Sequence, residues 1–148
     1  METVLPKHHV AATGIVLNRE GKVLLIRRRD NGNWEPPGGV VELDDSLEGA
    51  VAREVKEESG IEVDVVRLSG VYKNVGAKGT CVVSLVFLCR AVGGNPSTGD
   101  ETSDVGWFSA EEAVRMISRE RMRIRLRDAL SGRETPAVRS FMTPEKRN

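Results

Sequence analysis

Apolar and polar positions change their spacing several times along this chain. HVAATGIVLN and KVLLIRRR carry the short apolar runs of strands, and the turn-like NREG between them, Asn18 to Gly21, predicts an antiparallel hairpin. Asp30 to Gly39, DNGNWEPPGG, concentrates Asn, Pro and Gly and reads as a loop with special backbone geometry. Leu47, Ala50, Val51 and Val55 then recur at the three-and-four spacing of a helix, with Asp45 or Ser46 available as N-cap and Gly60 as a left-handed stop. IEVDVVRL and GVYKN read as two further strands, the first switching its apolar parity at Val65 and Val66 as a bulge would. CVVSLVFLCR reads as one buried strand, and Gly93 to Asp104 as a long polar loop of the functional or mobile kind. VGWF predicts a last short strand, Ser109 and Glu112 a capping box for AEEAVRMI, and a second helix runs from about Glu120 to Ser131. From about residue 133 the chain is polar with two prolines, which predicts an extended or frayed tail. Strands and helices mix without a regular βαβ alternation, so the class is α+β, a layered sandwich with helices flanking a mixed sheet.

Three carboxylates intrude on the helical stripe. Glu54 follows Leu47, Ala50 and Val51 by seven, four and three residues, which puts it over the core-facing side, and Glu57 and Glu58 repeat the placement one turn later. A charge run on a helix is usually a wet surface laced by pairs such as Arg53 with Glu57. A surface pair does not need an acid in the middle of an apolar stripe, however. Oxygen ligands from successive turns suit a hard divalent cation, Mg²⁺ or Mn²⁺, which in turn suggests a substrate phosphate as a further ligand. Gly38 and Gly39 just before the helix have no side chain to keep a metal or a diphosphate from the backbone. Together these features predict metal-assisted hydrolysis of a phosphate ester or anhydride.

Composition narrows the setting. The 148 residues fit a single domain, 1–148, and 22 basic residues balance 22 acidic ones, so no global field points to nucleic acid or an anionic membrane as partner. No apolar run approaches the roughly 20 residues of a membrane helix, and Met1 to His9 lacks an apolar signal-peptide segment, so the expectation is a soluble cytoplasmic protein. Cys81 and Cys89 would lie roughly 26 Å apart on a continuous strand, too far to pair with each other, and two free thiols suit a reducing compartment.

The box from Gly39 to Ile61 resembles the signature of the Nudix hydrolase superfamily, the MutT-like diphosphohydrolases: G-x5-E-x7-R-E-U-x-E-E-x-G-U, with U a bulky aliphatic. Gly39, Arg53, Glu54, Val55, Glu57, Glu58, Gly60 and Ile61 match it, and Asp45 stands where the pattern has its first Glu. LLIRRR, WEPPGGVVE and WFSAEEA follow in the family's usual order, so the resemblance reaches to about Ile117. It implies an α/β/α sandwich in which the box forms a loop, a helix and a loop against a mixed sheet. It also implies divalent-metal-dependent hydrolysis of a nucleoside diphosphate linked to another moiety, water attacking phosphorus. Carried over by position, Glu54, Glu57, Glu58 and the Gly39 carbonyl would bind metal, Arg53 would orient the helix acids, and Glu101 sits where many members place another acid that binds metal or activates water. Members often dimerise, which leaves a homodimer open.

Other residues are weighed against plainer roles. One of Arg27 to Arg29 at a strand end reads equally as a substrate-phosphate ligand or as part of a solvated edge, and Arg28 is the preferred candidate of the three because family members often carry an arginine near there. Trp34 is expected to pack on the PPGG segment, and Tyr72 and Trp107 in strands, with base stacking conceivable for Tyr72 only. His8 and His9 have no partner spacing and read as structural or exposed. The alternating arginines from Arg119 to Arg127 wrap around a helix instead of forming a stripe, which predicts a solvated helix and no RNA contact. The isomerase branch of the same fold would need a Cys in a loop beside the box, and neither Cys is so placed. A Nudix-fold sensor that binds a nucleotide derivative without hydrolysing it is the alternative that the Asp45 departure keeps open. Asp45 itself is expected to be structural, as a helix cap. ADP-ribose hydrolases tend to carry a proline about 16 residues after the box, where this chain has Ala77, so the sequence does not point to that substrate.

Overall fold

The computed structural model describes residues 4–76 and 79–142. Ala77 and the last six residues of the tail lie outside that range. One mixed sheet runs through the middle. Its strands are β1 (His9–Leu17), β2 (Val23–Arg28), β3 (Trp34–Glu35), β4 (Gly38–Val40), β5 (Ile61–Val75), β6 (Cys81–Gly94), β7 (Thr102–Phe108) and β8 (Ala137–Phe141). The order across it is β3-β2-β1-β6-β5-β8, with β4 also paired to β1 and β7 to β2. β1 and β6 run parallel in unbroken register from His9↔Val82 to Leu17↔Arg90.

Alternation along the strands sends side chains to two cores. Ala12, Val16, Leu24 and Phe87 meet Ala50, Val51 and Val55 of α1 (Leu47–Ser59). Ile15, Leu25 and Val86, each one residue removed, face the opposite way and meet Ala113 and Ile117 around α2 (Ala110–Met116) and Leu126 and Ala129 of α3 (Glu120–Leu130). The result is the expected α/β/α sandwich. Cys81 and Cys89 are both free thiols, and burial pushes the Cys89 thiol up to about 12, so it serves as a small apolar residue. Among the described residues no helix is long and apolar enough to cross a membrane.

Several elements differ from the sequence reading. The hairpin's two strands share only the Leu17↔Val23 pairing, because β2 then leaves β1 for β7. The Asp30–Gly39 loop contains β3 and the start of β4: its glycines bring it flat against β1, so it pairs instead of looping free. The two strands expected after the helix are one, β5, whose register shifts include the bulge between Val65 and Arg67. The polar loop is shorter than expected, since Gly93 and Gly94 end β6 and Thr102 begins β7. The tail is extended but not frayed at Ala137–Phe141, which pairs parallel with β5 and buries Ala137.

The arginine-rich α3 is not a solvated helix. Its Arg125, Leu126, Asp128 and Ala129 are buried. The period-two arginines wrap the helix as expected: Arg127 pairs with Glu120 on the exposed side, while others turn toward the protein. Asp128 takes the Tyr72 hydroxyl at 2.7 Å and both Nε and Nη2 of Arg139 at 2.8 and 2.7 Å. The Arg125 guanidinium lies over the Tyr72 ring at 5.3 Å and Arg121 over Phe141 at 5.0 Å. Tyr72 is completely buried, so its ring is not available to stack on a base.

Candidate active site

The site begins with how closely two glycines let the chain approach itself. Thr13↔Gly38 and Ala12↔Gly39 place β4 on β1. A β-carbon on Gly38 would stand 2.5 Å from the Ala12 carbonyl oxygen, and one on Gly39 would stand 2.6 Å from the carboxyl carbon of Glu54. Any side chain there would push the strand off the sheet or the helix acid out of its seat. The Gly38 N–H donates to Glu58 Oε1 at 3.1 Å. The glycine pair thus touches two of the three helix acids directly.

α1 delivers those acids because of its caps and its apolar stripe. The Ser46 hydroxyl accepts from the Gly49 N–H at 3.0 Å, which makes Ser46 the N-cap, and Gly60 ends the helix at φ 78°. The expected capping role of Asp45 is therefore corrected. Its carboxylate instead accepts from the Glu42 N–H at 3.0 Å and from Arg53 Nη2 at 2.7 Å, and the Arg53 hydrogen bond holds it below the usual Asp range. Arg53 Nη1 reaches Glu54 at 3.0 Å and Glu57 at 3.5 Å, so one guanidinium ties the loop acid to two helix acids, and its own pKa is raised chiefly by Asp45.

The three acids are not equivalent. Glu54 is 17% exposed while Glu57, at 58%, stands in solvent beyond the stripe. Glu58 is partly buried, and its pKa is pushed up to about 8. Loss of solvent is the largest cause; the Gly38 N–H opposes it, and the nearby carboxylates of Glu54 and Glu35 add to it. Among the described residues no three His, Cys, Asp or Glu side chains are already gathered at metal-ligand spacing. The donor set nevertheless fits a hard cation: Glu54, Glu57, Glu58 and Glu101 all line one cavity of about 400 Å³, and desolvation raises the pKa of its half-buried member Glu58, as burial among acids would. A larger depression, about 520 Å³ and walled by Arg19, Arg90 and Trp107 among others, contains none of the box acids.

Glu101 reaches this rim on a fastened loop. The Ser97 N–H donates to the Ser59 carbonyl at 2.8 Å, and the Thr102 hydroxyl donates to the Glu58 carbonyl at 3.1 Å. Arg29 holds the other side: its N–H donates to the Glu101 carbonyl at 2.9 Å and its Nη2 to the Thr102 carbonyl at 2.9 Å. These contacts use orphan carbonyls at the end of α1, so the loop is part of the helix terminus and not a free lid.

Arg28 does not line the cavity. Its guanidinium grips Asp30 through Nε at 2.9 Å and Nη2 at 2.7 Å, and reaches Glu35 through Nη1 at 3.2 Å. Glu35 is the residue that sequence reasoning missed. Its side chain is 18% exposed, and burial raises its pKa against the pull of Arg28 and, more weakly, Arg119. The available signal was an acid wedged between Trp34 and Pro36 just ahead of the glycines. Trp34 anchors that strand against the Phe108 ring, edge-on at 5.3 Å. His8 and His9 are exposed, as expected.

The NUDIX domain family model matches residues 7–130. A MutT-like protein of Streptomyces ambofaciens is 48% identical over 135 residues, 91% of this chain and 84% of that relative. The ADP-ribose pyrophosphatase of Methanocaldococcus jannaschii is 36% identical over 106 residues, 68% of this chain and 62% of its own length. Among solved structures, a NUDIX hydrolase from Nitrosomonas europaea superposes with a TM-score of 0.79 over 95% of this chain and 83% of that one; at 22% identity this likeness concerns the fold alone. With a match over most of its length, the chain belongs to the Nudix family and is a hydrolase acting on phosphoric anhydrides.

Proposed function

We propose that this protein hydrolyses a nucleoside diphosphate linked to another moiety, using Mg²⁺ or Mn²⁺ held by Glu54, Glu57, Glu58 and the Gly39 carbonyl. The observation that carries the reading is the approach of Glu54 to Gly39 and of Glu58 to the Gly38 N–H, which brings two carboxylates against the glycine backbone where a β-carbon would not fit. The cation, when bound, would supply the positive charge that polarises a phosphoryl oxygen and offsets the desolvation of Glu58. In the reaction the oxygen of a water bonds to phosphorus, the bridging P–O bond of the anhydride breaks, and the water's proton passes to a carboxylate. Glu101, which lines the same cavity, would orient that water or take that proton. Arg53 keeps the helix acids apart and aimed by bridging Asp45, Glu54 and Glu57.

The substitution of Asp for Glu at the first box acid does not favour a non-catalytic sensor, because the shorter carboxylate still meets Arg53 at 2.7 Å. The test is a panel of nucleoside triphosphates, nucleotide sugars, ADP-ribose and dinucleoside polyphosphates, with Mg²⁺ and with Mn²⁺, scored for nucleotide, phosphate and pyrophosphate. Turnover that disappears in chelator and returns with metal is expected. Undiminished turnover in excess chelator, or binding without turnover across the panel, would overturn the reading.

A further inference from the structure

Three successive carbonyls at the end of α1 are met by one loop. The Ser59 carbonyl accepts from the Ser97 N–H, the Glu58 carbonyl accepts from the Thr102 hydroxyl, and a β-carbon on Gly99 would collide with the Glu57 carbonyl oxygen. Two of those carbonyls belong to box acids. Helix geometry fixes the carbonyls of a turn relative to the α-carbons that bear its side chains, so a loop seated on the first is also placed relative to the second.

Thr102 is the joint between loop and helix. Its side chain is buried, and its hydroxyl accepts from the Gly99 N–H at 2.7 Å while donating to the Glu58 carbonyl at 3.1 Å, with the Gly99 carbonyl as a more distant acceptor at 3.4 Å. The Thr102 N–H returns to the Gly99 carbonyl at 3.3 Å and closes the turn. From the other side Arg29 takes the next three carbonyls in order: its Nε donates to Asp100 at 3.2 Å, its backbone N–H to Glu101 at 2.9 Å and its Nη2 to Thr102 at 2.9 Å. Glu101 is thus held at its own backbone and at both neighbours.

Charge gives this fastening its purpose. Glu54, Glu57, Glu58, Asp100 and Glu101 line one cavity, and repulsion among them pushes the Glu101 turn away from the helix. Bonds made by peptide groups, a hydroxyl and a guanidinium resist that push whether or not a cation is bound. A site held in this way is arranged before the substrate arrives.

We propose that Thr102, with Arg29 behind it, is a positioning residue that sets Glu101 against the helix turn carrying Glu57 and Glu58. The proposal rests on the hydrolase reading above and on the place of Glu101 in it, and it deepens both: the Thr102 hydroxyl acts on the rate only through Glu101.

The experiment is a double-mutant cycle between Thr102 and Glu101, run in Mg²⁺ on whichever nucleotide of the panel above is turned over fastest, with thermal melts as the folding control. Thr102→Val keeps the shape of the side chain and removes the hydroxyl; Thr102→Ser keeps the hydroxyl. Thr102→Val should lower kcat about tenfold, short of the roughly hundredfold that a misplacement of about 1 Å can cause, and should leave KM within about twofold. Thr102→Ser should recover most of the rate. In a Glu101→Gln background, Thr102→Val should change kcat by less than about twofold more, because residues that act as one unit are not additive. A second readout needs no turnover: in the metal-free protein, hydrogen exchange at the Gly99 N–H should quicken in Thr102→Val and stay slow in Thr102→Ser and Glu101→Gln. Arg29 is exposed, so Arg29→Gln repeats the cycle from the other side of the turn without cutting into the core, and it decides alone if Thr102→Val does not fold.

Losses that multiply in the double variants would make Thr102 a residue of the fold only and overturn the proposal. So would wild-type kcat in Thr102→Val, a Thr102→Ser protein as slow as Thr102→Val, unchanged exchange at Gly99, or full turnover in Glu101→Gln. Each of these leaves the hydrolase reading standing, since that reading rests on the acids of α1. A wild type without metal-dependent turnover would overturn that reading and this proposal with it.

Discussion

The two faces of the sheet each bury a carboxylate, and they treat it in opposite ways. Under α3, Asp128 has a side chain only 8% exposed, and it receives three hydrogen bonds, two from Arg139 and one from Tyr72; the Arg139 contact holds its pKa below the usual Asp range. Under α1, Glu58 receives one N–H from Gly38, has acids for its other charged neighbours, and is pushed up to about 8. A carboxylate that serves the fold arrives with its own cation; under the proposed function, Glu58 would take its cation from solution. Burial alone does not tell the two apart. The neighbours do.

Glu58→Gln is expected to have the largest effect. Turnover should fall about a hundredfold or more, as for a lost charged group in a metal site, while the metal-free protein stays folded. The pH dependence goes with it. The folded state of Glu58 holds its proton between its ordinary value of 4.5 and about 8, where the unfolded chain has released it. Its stabilising share is thus complete below about 4.5 and is lost as pH rises through about 8. Melts of the metal-free wild type from pH 5 to 9 should show that loss, the Gln variant should not, and metal binding below pH 8 should release a proton. Equal pH slopes in the two proteins would break the comparison from the α1 side.

The α3 side is broken by Asp128→Asn. Its amide N–H₂ would face the Arg139 donors, and the variant should lose roughly 1–3 kcal/mol of stability, the cost of leaving buried polar groups unpaired, measured by urea unfolding. Turnover per folded molecule should stay within about twofold. The sign of its pH dependence is reversed: the stabilisation from Asp128 is present above its ordinary value of 3.8 and is lost as pH falls below it. A large drop in turnover at full folding would mean that the two faces are not separate.

The smallest effects lie at the start of α1, where capping and orientation fall to adjacent residues. Ser46→Ala should cost about 1 kcal/mol, within a range of roughly 0.5–2, as a lost cap, with turnover unchanged. Asp45→Ala should do the converse and slow turnover several-fold through a loosened Arg53 while moving the melting temperature little. Reversed results would return the cap to Asp45.

Features carried by local spacing were legible in the sequence: the apolar stripe of α1 with Glu54 set in it, the Gly60 stop, and the bulge signalled by Val65 and Val66. What escaped depends on residues far apart in the chain. Nothing near Arg139 announces that Asp128 awaits it, so β8 read as a tail and α3 as a solvated helix. Glu35 is buried because Trp34 docks on Phe108, a contact across more than seventy residues that no window of sequence contains. Ser46 was preferred over Asp45 as cap once Arg53 had claimed the Asp45 carboxylate, again a tertiary choice.

The parallel pairing of β1 with β6 carries a consequence for the order of folding. β1 precedes the other described strands of this sheet in the chain, yet its partner from Val82 to Arg90 emerges only after the whole Nudix box has been made. Until then the nascent chain can form α1 and fold β4 back onto β1, but one edge of β1 stays open. Closing that long loop is the slow kind of step that sets folding rates in sheets of high contact order. On the ribosome, the acid-bearing helix therefore waits for a strand that contributes none of its acids.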